Sequence, residues 1–296
     1  AFCRDTIAAG CCGDSTLPEG GWSHSSPKGS LAKNVWTVSL MSVLNISPIR
    51  AFSDNYIWLI SRENQAYVVD PGEPAPVLSA LDEAGLQLAG ILVTHHHYDH
   101  TGAVKALKEA SGCDVWGPPE SPAGPYDHIL AEGTTVSVLG VDFSVLAVPG
   151  HTLDHIAYHS GGEKALFCGD TLFVGGCGRV FEGTAPQMRA SLSKLARLPA
   201  DTRIFCAHEY TLANLHFAQL VEPDNADLAR FIGACEDRRQ NDQPTVPSLI
   251  GEELTYNPFL RWDSPAVRQT LADTGRLMDD TPDGVFTAVR EWKNNA

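Results

Sequence analysis

The chain has 296 residues, with 43% hydrophobic and 19% charged residues and a formal net charge of −15. That length suits one large domain or two modest ones with ample core. No uninterrupted apolar run reaches the roughly 18–20 residues a bilayer span needs, and an acidic chain without a basic stripe excludes a general nucleic-acid binder.

Residues 1–40 are rich in Gly, Ser and small residues and have no apolar periodicity. They read as a disordered extension ahead of Met41, with a targeting segment as the alternative. Arg4, Lys28 and Lys33 are balanced by Asp5, Asp14 and Glu19, a poor match to an organellar presequence.

From Met41 onward, short apolar runs alternate with turn residues. Strands are expected over Ser42–Ile46, Asn55–Ser61, Gln65–Val69, Gly90–Val93, Val115–Gly117, Thr135–Val138, Phe143–Ala147, Ile156–His159, Ala165–Cys168 and Arg203–Cys206. Interspersed helical patterns cover Pro76–Ala84, Gly102–Ala110 and Pro186–Leu198. The mixture implies α/β layers. Beyond His208 the texture becomes helical, over Leu212–Leu220, Asn225–Asn241, Pro265–Asp273 and Gly284–Lys293, with DQPTVPSLIGEE as a proline-bearing connector. A catalytic domain over 41–210 and a smaller helical domain over 211–296 are therefore expected. The chain's 8 cysteines contain no CxxC pair, which points to reduced thiols and a cytoplasmic location.

The chemistry gathers at strand ends. GILV runs into THHHYDH, Thr94 to His100. FSVLAVPG runs into His151, KALFCG into Asp170 and TRIFCA into His208. In α/β architectures, sites gather outside the carboxyl ends of strands. His95 and His97 are two apart in extended chain and share a side, while His96 faces away. Asp99 and His100 lie where the chain bends toward the next helix. Imidazole and carboxylate together suit zinc, iron or manganese. The set of seven, His95, His97, Asp99, His100, His151, Asp170 and His208, is too large for one tetrahedral ion and suits two ions sharing a bridge. His24, His128, His159 and His216 read as hydrogen-bonded or exposed histidines, and Cys168 and Cys206 as small core side chains. Asp70, Asp154 and His155 are divided between supporting a ligand and ordinary turn or surface roles.

At these motifs the sequence resembles the metallo-β-lactamase superfamily, and within it the hydroxyacylglutathione hydrolases (glyoxalase II). The resemblance runs from about Met41 to the C terminus through THHHYDHTG, PGHT, FCGDTLFVGGCGRVFEGT, CAHEYTLANLHFA and NPFLR. It implies an αββα sandwich followed by a helical domain. It also implies two divalent ions, zinc first, with iron or manganese as alternatives. One ion would lie among His95, His97 and His151, and the other among Asp99, His100 and His208. Asp170 would bridge them together with a hydroxide, so Asp99 and Asp170 carry the catalytic roles. The implied reaction is hydrolysis of S-lactoylglutathione and related thioesters to glutathione and a hydroxy acid, the second step of methylglyoxal detoxification.

In similar enzymes the glutathione moiety is held by positions that correspond to Arg179, Phe181, Tyr210, Arg290 and Lys293. The last two are three apart on an expected helix and share a face. Some relatives have tyrosine in place of Phe181, and the HTxGH form of the motif has glycine in place of Asp154. The C-terminal segment matches only loosely. The partner is thus a small-molecule glutathione thioester, with neither nucleic acid nor membrane, and the chain is expected to be a monomer. The alternatives are a glutathione persulfide dioxygenase, another hydrolase of this fold, and a metal-dependent binding protein without turnover.

Overall fold

The computed structural model describes residues 43–296, so the expected extension over 1–40 lies outside the described residues. In chain order, β1 (Asn45–Ala51), β2 (Asn55–Arg62) and β3 (Gln65–Val69) lead into α1 (Pro74–Ala84) and β4 (Gln87–Leu92). The single turn α2 (Tyr98–Thr101), then α3 (Val104–Ser111), β5 (Asp114–Gly117) and β6 (His128–Ile129) complete the first half. The second half begins with β7 (Thr135–Val138), β8 (Val141–Ala147), β9 (Ile156–Ser160) and β10 (Ala165–Gly169). The hairpin β11 (Leu172–Phe173) and β12 (Gly176–Cys177) follows, then α4 (Ala185–Leu195) and β13 (Arg203–Cys206). The C-terminal part holds α5 (Thr211–Val221), α6 (Ala226–Gln240), β14 (Ser248–Leu249), α7 (Ile250–Tyr256), α8 (Pro265–Asp273) and α9 (Pro282–Asn294).

One sheet has the order β1-β2-β3-β4-β5-β6 and the other β14-β13-β10-β9-β8-β7. β2 shows why they stack. Its Tyr56, Trp58 and Ile60 face the core between the sheets, while Ile57 and Leu59 join the core under α1 and α3. Both faces of β2 are buried, and its middle, Tyr56–Ile60, is a continuous run of aromatic and aliphatic residues. Fully burying each such side chain contributes ~1.5–3 kcal/mol. Two hydrogen bonds tie the sheets close to the strand ends: Trp58 Nε1 donates to Cys206 O at 3.0 Å, and Tyr158 Oη to Val93 O at 2.6 Å. Met188, Leu192 and Leu195 of α4 and Val285, Phe286 and Val289 of α9 join the same core. The result is the expected αββα sandwich with helices packed after it. The division expected near Tyr210 falls at the start of α5, and the core continues across it.

Three expectations need correction. The first strand is Asn45–Ala51 rather than Ser42–Ile46. It runs through Pro48, whose missing N–H is tolerated because β1 lies at a sheet edge. The helix expected from Gly102 starts at Val104, preceded by the separate turn of α2. The connector after Asn241 contains β14 and α7, which its two prolines conceal in the sequence. α8 spans the expected Pro265–Asp273. Cys168 and Cys206 are buried in the core as expected, while His128 stacks on Trp116 and His216 faces Glu236.

Candidate metal centre

The ends of β4, β8, β10 and β13 meet at one edge of the sandwich. After β4 the chain extends through His97 and then coils into α2, where Thr101 Oγ1 donates to His97 O at 2.9 Å. That turn sends Asp99 and His100 back toward the strand ends from a second direction. β10 ends on Gly169 in a left-handed conformation (φ 48°), where a Cβ would lie 2.4 Å from Thr94 Oγ1. Only glycine lets the chain pass this point and present Asp170.

Two triads result. Donor atoms of His95, His97 and His151 lie within 4.8 Å of one another, as do those of Asp99, His100 and His208. Asp170 stands between them. Its Oδ1 is 3.4 Å from His100 Nε2 and 3.4 Å from His208 Nε2, while its Oδ2 is 3.3 Å from His151 Nε2. Asp99 Oδ2 is likewise 3.4 Å from both His100 Nε2 and His208 Nε2. Zinc–nitrogen bonds of ~2.0–2.1 Å in a tetrahedron separate neighbouring donors by roughly 3.3 Å. The donor spacing therefore fits divalent ions. The buried atoms His95 Nε2, His100 Nε2 and Asp170 Oδ1 have no hydrogen-bond partner, and a buried polar atom without one is costly. A divalent ion held by these donors would give the atoms their missing partner.

The outer ring nitrogens of His95, His100, His151 and His208 are engaged. Thr94 Oγ1 donates to Asp70 Oδ2 at 2.7 Å, so His95 Nδ1, 3.0 Å away, must donate to that hydroxyl. His100 Nδ1 faces Asp70 Oδ2 at 3.1 Å, His208 Nδ1 faces Asp54 Oδ1 at 2.8 Å and His151 Nδ1 faces Arg179 O at 2.7 Å. Each arrangement directs Nε2 inward. His97 instead turns Nδ1 toward His151 Nε2 at 3.0 Å. His155, stacked on His95 at 4.5 Å, accepts the backbone N–H of Asp170 on Nε2 at 3.0 Å. Asn55 Nδ2 donates to Asp99 Oδ2 at 2.9 Å.

The field at the centre seeks cations. Burial disfavours charge on His208, but Asp170 and Asp99 outweigh it and push the imidazole up to about 10. Burial opposes charge on His100 too, yet Asp170, Asp70 and Asp99 raise it well above the ordinary range. Burial works against ionised Asp170 and Asp99, and the neighbouring His100 and His208 hold both carboxyls low. His95 has no comparable carboxylate balance, so burial and the charge of His100 lower it. Burial likewise pushes His155 down to about 3, keeping it a neutral acceptor.

The residues expected around the substrate divide into two groups. Phe181, 60% exposed, stands 5.2 Å from the His151 ring and 5.8 Å from the His97 ring, with the Arg179 guanidinium over it at 5.6 Å. Tyr210 stacks on His208 at 4.6 Å and 38% of it is exposed. Arg290 and Lys293 do share a helix, but they are not an open cationic face. Arg290 is buried over Phe259 and donates to Cys177 O at 3.0 Å. Lys293 Nζ donates to Ala213 O at 2.9 Å and sits over Phe217. Both brace the elements that carry Arg179 and Tyr210. Asp54, in the turn before β2, and Asn55, its first residue, had no signal in the sequence beyond their place in SDNY. A cavity of about 490 Å³ opens beside them, lined also by Arg50, Phe52, Leu212 and Ala213.

Comparison with known proteins agrees with this constellation. The metallo-beta-lactamase superfamily matches residues 51–208, and the hydroxyacylglutathione hydrolase C-terminus matches 209–296. The hydroxyacylglutathione hydrolase of Chromohalobacter salexigens is 50% identical over 255 residues, covering 85% of this chain and 99% of the relative. That of Nitrosomonas eutropha is 47% identical over 256 residues, covering 86% and 99%. Among solved structures, ETHE1 from Myxococcus xanthus superposes with a TM-score of 0.58 at 26% identity, covering 85% of this chain and 100% of that one. TTHA1623, in a di-iron-bound form, superposes with a TM-score of 0.53 at 26% identity, covering 72% and 100%. Matches that together run from the end of β1 to the C terminus, and relatives aligned over nearly their whole length, place the fold and the strand-end histidines in one lineage: the chain belongs to the hydroxyacylglutathione hydrolases of the metallo-beta-lactamase superfamily.

Proposed function

We propose that this chain hydrolyses S-lactoylglutathione and related hydroxyacylglutathione thioesters at a centre of two divalent ions. The observation that carries the reading is Asp170, whose two carboxylate oxygens face different donor triads. His95, His97 and His151 would hold one ion, and Asp99, His100 and His208 the other. Zinc suits the set, and iron or manganese also accepts it. Bound there, divalent ions supply Lewis acidity, lowering the pKa of water and polarising a carbonyl.

The chain's own groups do the remaining work. Asp70 and Asp54 fix the orientation of His100 and His208, and the His155 ring fixes Asp170 by accepting its backbone N–H. Asp99 is committed to two imidazoles and to Asn55, so it is a ligand rather than a free base. Arg179 supplies an exposed positive charge to a substrate that carries two carboxylates, in a protein of net charge −15. Phe181 and Tyr210 flank the opening, and Lys293 of α9 donates to Ala213 O in α5, the helix that Tyr210 precedes. We read residues 211–296 as the part that shapes substrate binding. The leaving thiolate, with an ordinary thiol pKa of about 8.5, departs near neutral pH with little help from a general acid.

A persulfide dioxygenase needs one redox-active iron with open positions, and the complete set Asp99, His100 and His208 argues against that alternative. No helix among the described residues is long and apolar enough to cross a membrane. Cys113, Cys168, Cys177, Cys206 and Cys235 are free thiols, which supports a reducing, cytoplasmic setting. Thiol release from S-lactoylglutathione, set against oxygen uptake with glutathione persulfide, separates the two activities. Release without oxygen uptake supports hydrolysis, and the reverse overturns it.

A further inference from the structure

His96 takes no part in the centre. It turns away from His95 and His97 and meets two carboxylates on the opposite side. Its Nδ1 is 3.0 Å from Asp154 Oδ1 and its Nε2 is 3.3 Å from Glu182 Oε1. One ligand atom from each of the three residues lies within 4.8 Å of the others. We propose that His96, Asp154 and Glu182 form a separate divalent-cation site, taking a first-row transition ion such as Zn²⁺.

A second observation is independent of this grouping. The Asp154 side chain is only 7% exposed, and its Oδ2 is buried without any hydrogen-bond partner. Its Oδ1 is already occupied, accepting from Thr152 Oγ1 at 2.6 Å as well as facing His96. A buried carboxylate oxygen lacking a donor is an unmet demand for positive charge. Glu182 is set for the same task, because its Oε2 accepts the Leu153 N–H at 2.8 Å and so turns Oε1 to His96. Access comes through a cavity of about 410 Å³ lined by His96, Glu120, Leu153, Asp154 and Glu182. One imidazole and two carboxylates are a donor set that zinc accepts, with room for water as a fourth ligand. Such an ion would clamp the loops carrying His97, His151 and Arg179 to one another from outside. This site does not depend on how many ions the centre holds.

The test is zinc uptake by the metal-loaded protein. The wild type, Glu182→Gln and Asp154→Asn are each dialysed against rising free Zn²⁺, and zinc per chain is counted. The wild type should take up one ion more than either variant, which should need at least about tenfold more free zinc to reach the same content. Wild-type crystals equilibrated with Zn²⁺ should show an anomalous peak at the zinc edge between His96, Asp154 and Glu182, a readout unaffected by any misfolding of a variant. Equal uptake by all three proteins, or no peak there in zinc-equilibrated crystals, overturns the proposal.

Discussion

The Asp54 carboxylate takes the Nδ1 hydrogen of His208 at 2.8 Å, from a turn 154 residues earlier in the chain. Its neighbour Asn55, the first residue of β2, holds Asp99 in the same triad, so two adjacent residues orient two of its three donors. Removing such a partner commonly lowers metal affinity about 10–100-fold. Asp54→Ala should therefore release metal from the Asp99–His100–His208 position at lower chelator concentration while His95–His97–His151 keeps its ion. Metal content measured against chelator concentration checks this, and simultaneous loss from both positions would contradict it.

Phe181 lines the opening but offers no hydroxyl. Phe181→Tyr adds a hydroxyl donor beside the His151 and His97 rings. One added hydrogen bond of ~0.5–1.5 kcal/mol should lower KM for S-lactoylglutathione roughly two- to tenfold with little change in kcat. Steady-state kinetics decide, and an unchanged KM removes Phe181 from the substrate contacts.

The two C-terminal cations should separate in behaviour. Lys293→Ala should raise KM for glutathione thioesters more than it lowers kcat, as loss of uniform binding does. Arg290 is buried on Phe259 and bonded to Cys177, so Arg290→Ala should also lower folding stability, by roughly 2–4 kcal/mol. Denaturant titration beside kinetics reads both effects. A fully stable Arg290→Ala with a raised KM would mean that Arg290 serves substrate rather than packing.

Glu253 gives a pH dependence away from the centre. Its carboxyl is fully buried, accepts from Gly175 N, Asn257 Nδ2 and Tyr256 Oη, and is pushed by burial up to about 7. A carboxyl that binds its proton more tightly when folded stabilises most below its unfolded pKa, and that stability is lost as pH rises from about 4.5 toward 7. Wild type should therefore lose stability relative to Glu253→Gln between pH 5 and 8, by up to ~3 kcal/mol. Parallel thermal unfolding of the two proteins checks the sign, and a constant difference in Tm across that range would contradict it.

The legible and illegible parts of the chain differ for a physical reason. His95, His97, His151, Asp170 and His208 each follow a run of apolar residues, and strand periodicity alone brings those ends to one edge. Asp54, Asn55 and Asp70 act through contacts distant in sequence, and a lone Asp or Asn in a turn looks the same whether or not it holds a ligand. Asp70, whose place before Pro-Gly suits a turn as well as a ligand's partner, bonds to Thr94 and His100. Arg290 shows the opposite limit. Spacing put it on a face with Lys293, but spacing does not say whether that face meets solvent or Phe259. α7 was hidden because Pro244 and Pro247 precede it, and prolines before a helix look the same as prolines in a loop.

The central claim is that two ions share Asp170 and that thioester hydrolysis depends on both. Metal content and thiol release from S-lactoylglutathione, measured on the same samples of wild type and Asp170→Ala, test it most directly. The account predicts two ions per wild-type chain, loss of metal from both positions in the variant, and a fall in thiol release of several orders of magnitude. Two ions still bound at wild-type affinity in Asp170→Ala, or undiminished thiol release from metal-depleted wild type, would contradict it.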